Sequence, residues 1–180
     1  MNIPNMLSVF RIMLIPVFGV VYMQASEQPW FYVAALILLL SAVTDILDGI
    51  IARKYNMITP LGKVLDPFAD KLTQAVVCIL FSLRNPEFWF VVVLILAKEL
   101  LMLAAGLKIY HIYKELNNSK WFGKLYTVVF YVIMLMIIAF PNLKTQLTMG
   151  LLIVMVFFML FAFFMYIPVF IRLIKKSKNC

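Results

Sequence analysis

The chain has 180 residues, of which 65% are hydrophobic and 13% charged. Soluble domains are nearer half apolar and a quarter charged, so an ordinary water-soluble domain is excluded and lipid is the expected solvent. The net charge of +8 would suit a nucleic-acid partner, but its distribution along the chain assigns it to a membrane surface instead.

Residues 1–11, MNIPNMLSVFR, read as a short amphipathic interfacial helix. Asn5, Ser8 and Arg11 are spaced by three and share one face, with Met6, Leu7, Val9 and Phe10 between them. Six apolar runs follow, at roughly 9–25, 30–50, 64–82, 88–110, 122–140 and 146–171. Each is near the ~20 residues that span a bilayer core. They predict an all-α integral membrane protein with six transmembrane helices, forming a single membrane-embedded domain over residues 1–180. The first run has neither a basic leader nor a small-residue cleavage site, so it should stay as helix 1 rather than be removed.

SEQPW makes the first outer turn, with Trp30 at an interfacial aromatic position. KYNMITPLG is the polar break between helices 2 and 3, and Asn56, Thr59, Pro60 and Gly62 give it turn chemistry. Helix 3 starts near Gly62 and ends before the outer turn RNPE. Helix 4 carries Lys98 and Glu99 in its middle, and HIYKELNNSKWFGK is a basic and aromatic loop. PNLKTQ is the third outer turn; the Phe and Met residues of helix 6 suit lipid contact and packing, and RLIKKSKN ends the chain in basic charge. Cys78 and Cys180 lie far apart, which predicts neither a disulfide framework nor a metal role.

Threading six helices from the N-terminus puts Arg11, Arg53, Lys54, Lys63, Lys108, Lys114, Lys120, Lys124, Arg172, Lys175, Lys176 and Lys178 on one side. Arg84 and Lys144 fall on the other, and Lys71 and Lys98 within helices. This bias predicts cytoplasmic termini. The basic side would face anionic headgroups or anionic substrates.

The same side holds TDILDGIIARKYNMITPLGKVLDPFADK, with Asp45, Asp48, Asp66 and Asp70. The first two are spaced i,i+3 and the second two i,i+4, so each pair shares a helical face. A short turn should make helices 2 and 3 antiparallel neighbours, with the two pairs facing across one gap. Carboxylates at mid-membrane cost about 2.5–3.5 kcal/mol each, and like charges this close require a cation or protons. Arg53, Lys63 and Lys71 are near in sequence. An oxygen-only donor set favours Mg²⁺ or Mn²⁺ over zinc and suits a phosphate-bearing substrate. Gly49 and Ala52 would let a ligand approach the backbone, and Arg53 could contact a phosphate bidentately. A purely structural ion-pair cluster or a pair of helix caps requires neither four carboxylates nor this spacing.

Asp45-x2-Asp48-Gly49-x2-Ala52-Arg53-x8-Gly62-x3-Asp66-x3-Asp70 resembles the complete motif of the CDP-alcohol phosphotransferase family. The resemblance implies a six-helix fold, a two-metal site, displacement of CMP by an alcohol, and a homodimer. It implies that Asp45, Asp48 and Asp66 bind metal. Asp70 would help hold the second ion and act as general base on the acceptor hydroxyl. Asn5, Ser8, Gly49, Ala52, Arg53 and Thr59 fall where the family binds its CDP-lipid.

The stretches NIPNMLSVFRIMLIPVF and ARKYNMITPLGKVLDPFADKL resemble the bacterial branch that joins CDP-diacylglycerol to sn-glycerol 3-phosphate. A phosphorylated acceptor needs further basic residues, for which Lys98, Lys120 and Lys124 are candidates. Lys98 could equally pair with Glu99, and Lys120 with lipid headgroups. The chain departs from that branch in two places. Its usual Arg-Glu is here Lys98-Glu99, and its usual Gly-Lys-x-Lys-Thr-x2-Gln is Gly123, Lys124, Leu125, Tyr126, Thr127 and then Phe130. The alternative acceptor is phosphatidylglycerol, as in the cardiolipin synthases of the same family. Two rivals from other classes fit less well. A prenyltransferase separates its two aspartate motifs widely in sequence, and a divalent-cation transporter tends to show paired halves with broken helices.

Overall fold

The computed structural model of the protein describes residues 2–55, 59, 62–113 and 121–178, and the regular structure among them is entirely helical. The helices are α1 (Ile3–Gln24), α2 (Gln28–Lys54), α3 (Gly62–Arg84), α4 (Trp89–Tyr113), α5 (Trp121–Ala139) and α6 (Thr145–Lys178). A short 3-10 turn, Pro86–Phe88, leads into α4. Prolines mark several boundaries. Pro4 and Pro29 stand in the first turns of α1 and α2, where the missing N–H costs nothing. Pro141 follows α5, where it stops the helix.

α1, α2, α5 and α6 are long and apolar enough to cross a membrane, over Pro4–Gln24, Gln28–Ala52, Trp121–Ala139 and Thr145–Pro168. α3 has the length but carries Lys63, Asp66, Asp70, Lys71 and Arg84. The outside of the bundle is apolar, with Val20, Leu36, Leu40, Val93, Val132, Ile153 and Phe157 all exposed. Such a surface suits lipid, in which apolar burial alone does not drive helix association. The interior combines an apolar core around Phe18, Leu38, Val77, Phe130, Met134 and Met155 with buried polar groups: Asn5, Ser8, Arg11, Asp48, Gln74 and Lys98.

Two expectations are corrected. Residues 3–11 are not a separate interfacial helix; they are the first turns of an uninterrupted α1. No breaker lies between Pro4 and Pro16, and the face formed by Asn5, Ser8 and Arg11 is buried in the protein. Nor, among the described residues, are α2 and α3 each other's main packing partners. α1 packs on both, and the helices form a closed circuit in the order α1, α2, α5, α6, α4, α3.

Candidate active site

Because α1 stands between α2 and α3, its polar face reaches both. Arg11 is fully buried, and its guanidinium bonds three carboxylates. Nη1 donates to Asp45 Oδ1, and Nη2 donates to Asp48 Oδ2 and, at 2.8 Å, to Asp66 Oδ1. Asp45 and Asp48 come from α2 and Asp66 from α3, so one side chain of α1 ties the two helices together. A planar fork of N–H donors matches carboxylates in a way that an ammonium does not. Burying such a charge costs several kcal/mol unless it is well paired, and here it meets three opposite charges.

The positive-inside reading counted Arg11 among surface charges. The structure makes it the internal counter-ion of the aspartate cluster instead. Of the cations expected to neutralise that cluster, Lys71 reaches only Asp70, at 3.6 Å. The side chains of Arg53 and Lys63 lie outside the described residues.

Asp45, Asp48 and Asp66 each offer one oxygen, all within 4.8 Å of one another. The set is hard, anionic and free of nitrogen and sulfur, which fits Mg²⁺, Mn²⁺ or another hard divalent ion. That the cluster accommodates a cation is visible in Arg11 itself. Asp70 stands apart from these three. Gln74, one turn further along α3, donates Nε2 to both Asp70 oxygens at 3.0 Å. The expected two facing pairs are therefore three carboxylates around a guanidinium, with the fourth held separately by an amide.

The other face residues of α1 join the same region. Ser8 Oγ donates to Pro4 O at 3.2 Å and to Asp48 Oδ2 at 3.3 Å. Thr59 Oγ1 donates to Asn5 Oδ1 at 3.2 Å and accepts the Gly62 N–H at 3.0 Å. This approach explains the glycine: a Cβ at Gly62 would lie 2.6 Å from Asn5 Oδ1 and 3.1 Å from Thr59 Oγ1. Asn5, Ser8 and Thr59 thus converge on the carboxylates, while Ala52 is a half-buried residue one turn beyond Gly49 on α2.

From Asp45, Gly49, Asp66 and Asp70 a cavity of about 470 Å³ extends inward, bounded by α2, α3, α4, α5 and α6. Its far wall carries Lys71, Lys98, Glu99, Lys124, Tyr126 and Thr127. Lys98 Nζ donates to Glu99 Oε1 at 2.5 Å, and Lys71 Nζ lies 3.4 Å from the same oxygen. Lys98 therefore pairs with Glu99 and also lines the cavity. Lys124 lines the cavity as well, whereas Lys120 lies outside the described residues. The space is acidic at one end and basic at the other, a polarity suited to a molecule with a reactive neutral end and an anionic end.

Sequence reasoning passed over Arg11, Gln74 and Tyr126 as site residues. For Arg11 the signal was present, since its spacing from Asn5 and Ser8 put it on their face. Gln74 was also detectable as a polar residue four positions after Asp70, within a hydrogen bond's reach on a helix. For Tyr126 the signal was its place in the stretch that resembles the family's Gly-Lys-x-Lys-Thr pattern, where it stands instead of the second lysine.

Comparison with known proteins identifies the family. Residues 1–173 match the CDP-alcohol phosphatidyltransferase family. The CDP-diacylglycerol–glycerol-3-phosphate 3-phosphatidyltransferase of Escherichia coli is 32% identical over 149 residues, covering 81% of both chains. The proteins of the same name from Shigella flexneri and Shigella sonnei match with the same identity and coverage. The chain belongs to the CDP-alcohol phosphatidyltransferase family and is a transferase.

Proposed function

We propose that the chain transfers the phosphatidyl group of CDP-diacylglycerol to sn-glycerol 3-phosphate, releasing CMP and forming phosphatidylglycerophosphate for phospholipid synthesis. The observation that carries this reading is the two-ended cavity, which has carboxylates around Arg11 at one end and Lys71, Lys98 and Lys124 at the other. The identity with relatives named for this reaction supports it.

In this reading the CDP-lipid lies along α1 and α2, against Asn5, Ser8, Gly49, Ala52, Arg53 and Thr59. Divalent ions, two Mg²⁺ or Mn²⁺ held by Asp45, Asp48 and Asp66 and shared with Asp70, would offset the charge of the diphosphate as its bond breaks. Asp70 takes the proton of the acceptor hydroxyl, whose oxygen attacks the lipid-side phosphorus, and the bond from that phosphorus to CMP breaks. Gln74 fixes the Asp70 carboxylate through both oxygens, which matters because a general base must sit within hydrogen-bond reach of its proton. Lys98 and Lys124, with Lys120, attract the acceptor's phosphate.

The protein would work as a homodimer with six spans, α3 and α4 crossing as well. Its termini and active site would face the cytoplasm of a bacterial inner membrane.

A second reading has its own support. Ile46, Ile50 and Val128 line the cavity and are also exposed on the apolar surface, so a lipid acceptor could reach Asp70 from the bilayer. Phosphatidylglycerol would then be the acceptor and cardiolipin the product. The test is CMP release by purified protein supplied with CDP-diacylglycerol, Mg²⁺ and one acceptor at a time: glycerol 3-phosphate, phosphatidylglycerol, inositol phosphate or serine. Release with glycerol 3-phosphate supports the proposal, and release with phosphatidylglycerol alone makes the second reading correct. Metal flux into liposomes without CMP release would indicate a transporter.

A further inference from the structure

One cavity has no part in the transfer reaction. It holds about 310 Å³ and shares no wall residue with the catalytic cavity. Phe31 on its wall and Asp45 in the aspartate cluster stand roughly 20 Å apart along α2, so it lies at the other end of the bundle. Its volume is that of a small-molecule site.

Arg84, in the last turn of α3, is the cation of this cavity. Its guanidinium donates to Tyr22 O at 2.5 Å and to Ala25 O at 2.7 Å. It also lies 5.2 Å from the Tyr22 ring centroid and 4.8 Å from that of Phe31. These contacts hold the group in place without neutralising it. A helix C-terminus supplies roughly half a negative charge, and Arg84 forms no ion pair among the described residues. The fork also carries more N–H donors than two carbonyls use. A charge half-buried among aromatic rings in this way calls for an anion from outside the chain.

Glu87, in the turn that leads into α4, lines the same cavity and is exposed. The two opposite charges face one space without pairing. A ligand that carries both signs answers both groups, with a phosphate for Arg84 and an ammonium for Glu87. Thr145, at the start of α6, adds a hydroxyl to the wall. Phe140 lines the cavity and is 52% exposed on the apolar outside of the bundle. A chain leaving the cavity there runs onto the lipid-facing surface.

We propose that this cavity binds the headgroup of a zwitterionic phospholipid: its phosphate takes Arg84, its ammonium faces Glu87, and its acyl chains leave past Phe140 along the outside of the bundle. The site is independent of the transfer reaction. A phosphate there would complete the contacts of Arg84 where α1 ends and α2 begins, and so stabilise the end of the bundle far from the aspartates. Free phosphate in solution offers Arg84 the same chemistry, but it makes no use of Glu87 or of the apolar exit.

The test is thermal unfolding of the delipidated full-length protein in maltoside micelles, titrated with one probe at a time. Phosphatidylethanolamine should raise Tm by about 5 °C or more at saturation. Diacylglycerol, which lacks the phosphate, should leave Tm unchanged, and phosphatidylethanol, which lacks only the ammonium, should give a smaller rise. In Arg84→Gln the amide still reaches a carbonyl but carries no charge. The lipid concentration for half the effect should rise about tenfold or more, as for loss of a hydrogen bond to a charged group, and Arg84→Lys should recover part of it. Asp70→Asn should keep the whole effect, which separates this site from the catalytic one. An equal rise with diacylglycerol, an unchanged midpoint in Arg84→Gln, or an effect lost in Asp70→Asn overturns the proposal. A full rise with inorganic phosphate or phosphoethanolamine overturns the lipid as the source. Where Arg84→Gln does not fold, Glu87→Gln decides: it should erase the advantage of phosphatidylethanolamine over phosphatidylethanol, and a retained advantage overturns the proposal.

Discussion

Arg11→Met removes the guanidinium from the aspartate cluster and leaves an apolar chain in a position that is 0% exposed. Two unit charges no more than 4.8 Å apart repel by about 3 kcal/mol or more at an effective dielectric of about 20. Three such pairs would approach about 10 kcal/mol, which is comparable with the whole stability of a domain. Asp66 has a side chain 45% exposed, so water screens part of this repulsion. The expected loss is then about 3–5 kcal/mol, the usual result of removing one partner from a buried ion pair. For a chain of this size that corresponds to a fall in Tm of about 6–20 °C.

Thermal unfolding of wild type and variant in detergent micelles, with EDTA or with Mg²⁺ or Mn²⁺, measures this. The variant should be the less stable in EDTA and should recover most of the difference with a divalent ion, while the wild type gains less. Arg11→Lys should fall between them, because one ammonium cannot serve three carboxylates with the same geometry. A variant that unfolds in EDTA at the wild-type temperature would refute the counter-ion role. A destabilised variant that no divalent ion restores would refute the cluster as a cation site.

Asp70→Asn should lower CMP release by about 10²-fold or more, the usual worth of general base catalysis. It should leave affinity for the CDP-lipid within severalfold, and full turnover would remove Asp70 from the role of base. Gly62→Ala drives a methyl group to 2.6 Å from Asn5 Oδ1; overpacking of this kind costs about 1–3 kcal/mol. Steady-state kinetics should show it as a raised KM for CDP-diacylglycerol with the acceptor KM unchanged. At the other end of the bundle, Arg84 donates to Tyr22 O at 2.5 Å and to Ala25 O at 2.7 Å, capping the last carbonyls of α1. Arg84→Leu should cost about 2–3 kcal/mol, read as a lowered Tm, while CMP release per folded molecule stays at the wild-type level.

The local pattern was legible because it depends on helical geometry alone. Spacings of three and four put Asp45 with Asp48 and Asp66 with Asp70, and hydropathy located the six helices, though α1 begins six residues earlier and α6 ends seven residues later than the apolar runs. Asn5, Ser8 and Arg11 were correctly put on one face, but the face was assigned to headgroups rather than to protein. An amphipathic N-terminal stretch looks the same in sequence whether its polar side meets water or buried carboxylates. A short loop between α2 and α3 argued equally well for direct packing, and no residue in it shows that α1 intervenes.

The sequence by itself therefore determined the helices, their apolar outer surface and the family-specific set of carboxylates, because periodicity and residue chemistry are properties of a single segment. The tertiary structure alone decided what each face meets. It inserted α1 between α2 and α3, so that Arg11 bonds three aspartates from two helices. It closed the circuit through α5, so that Tyr126 stands beneath Lys98 across the cavity from Asp70. Neither meeting follows from spacing, since each joins residues dozens of positions apart through the packing order of whole helices.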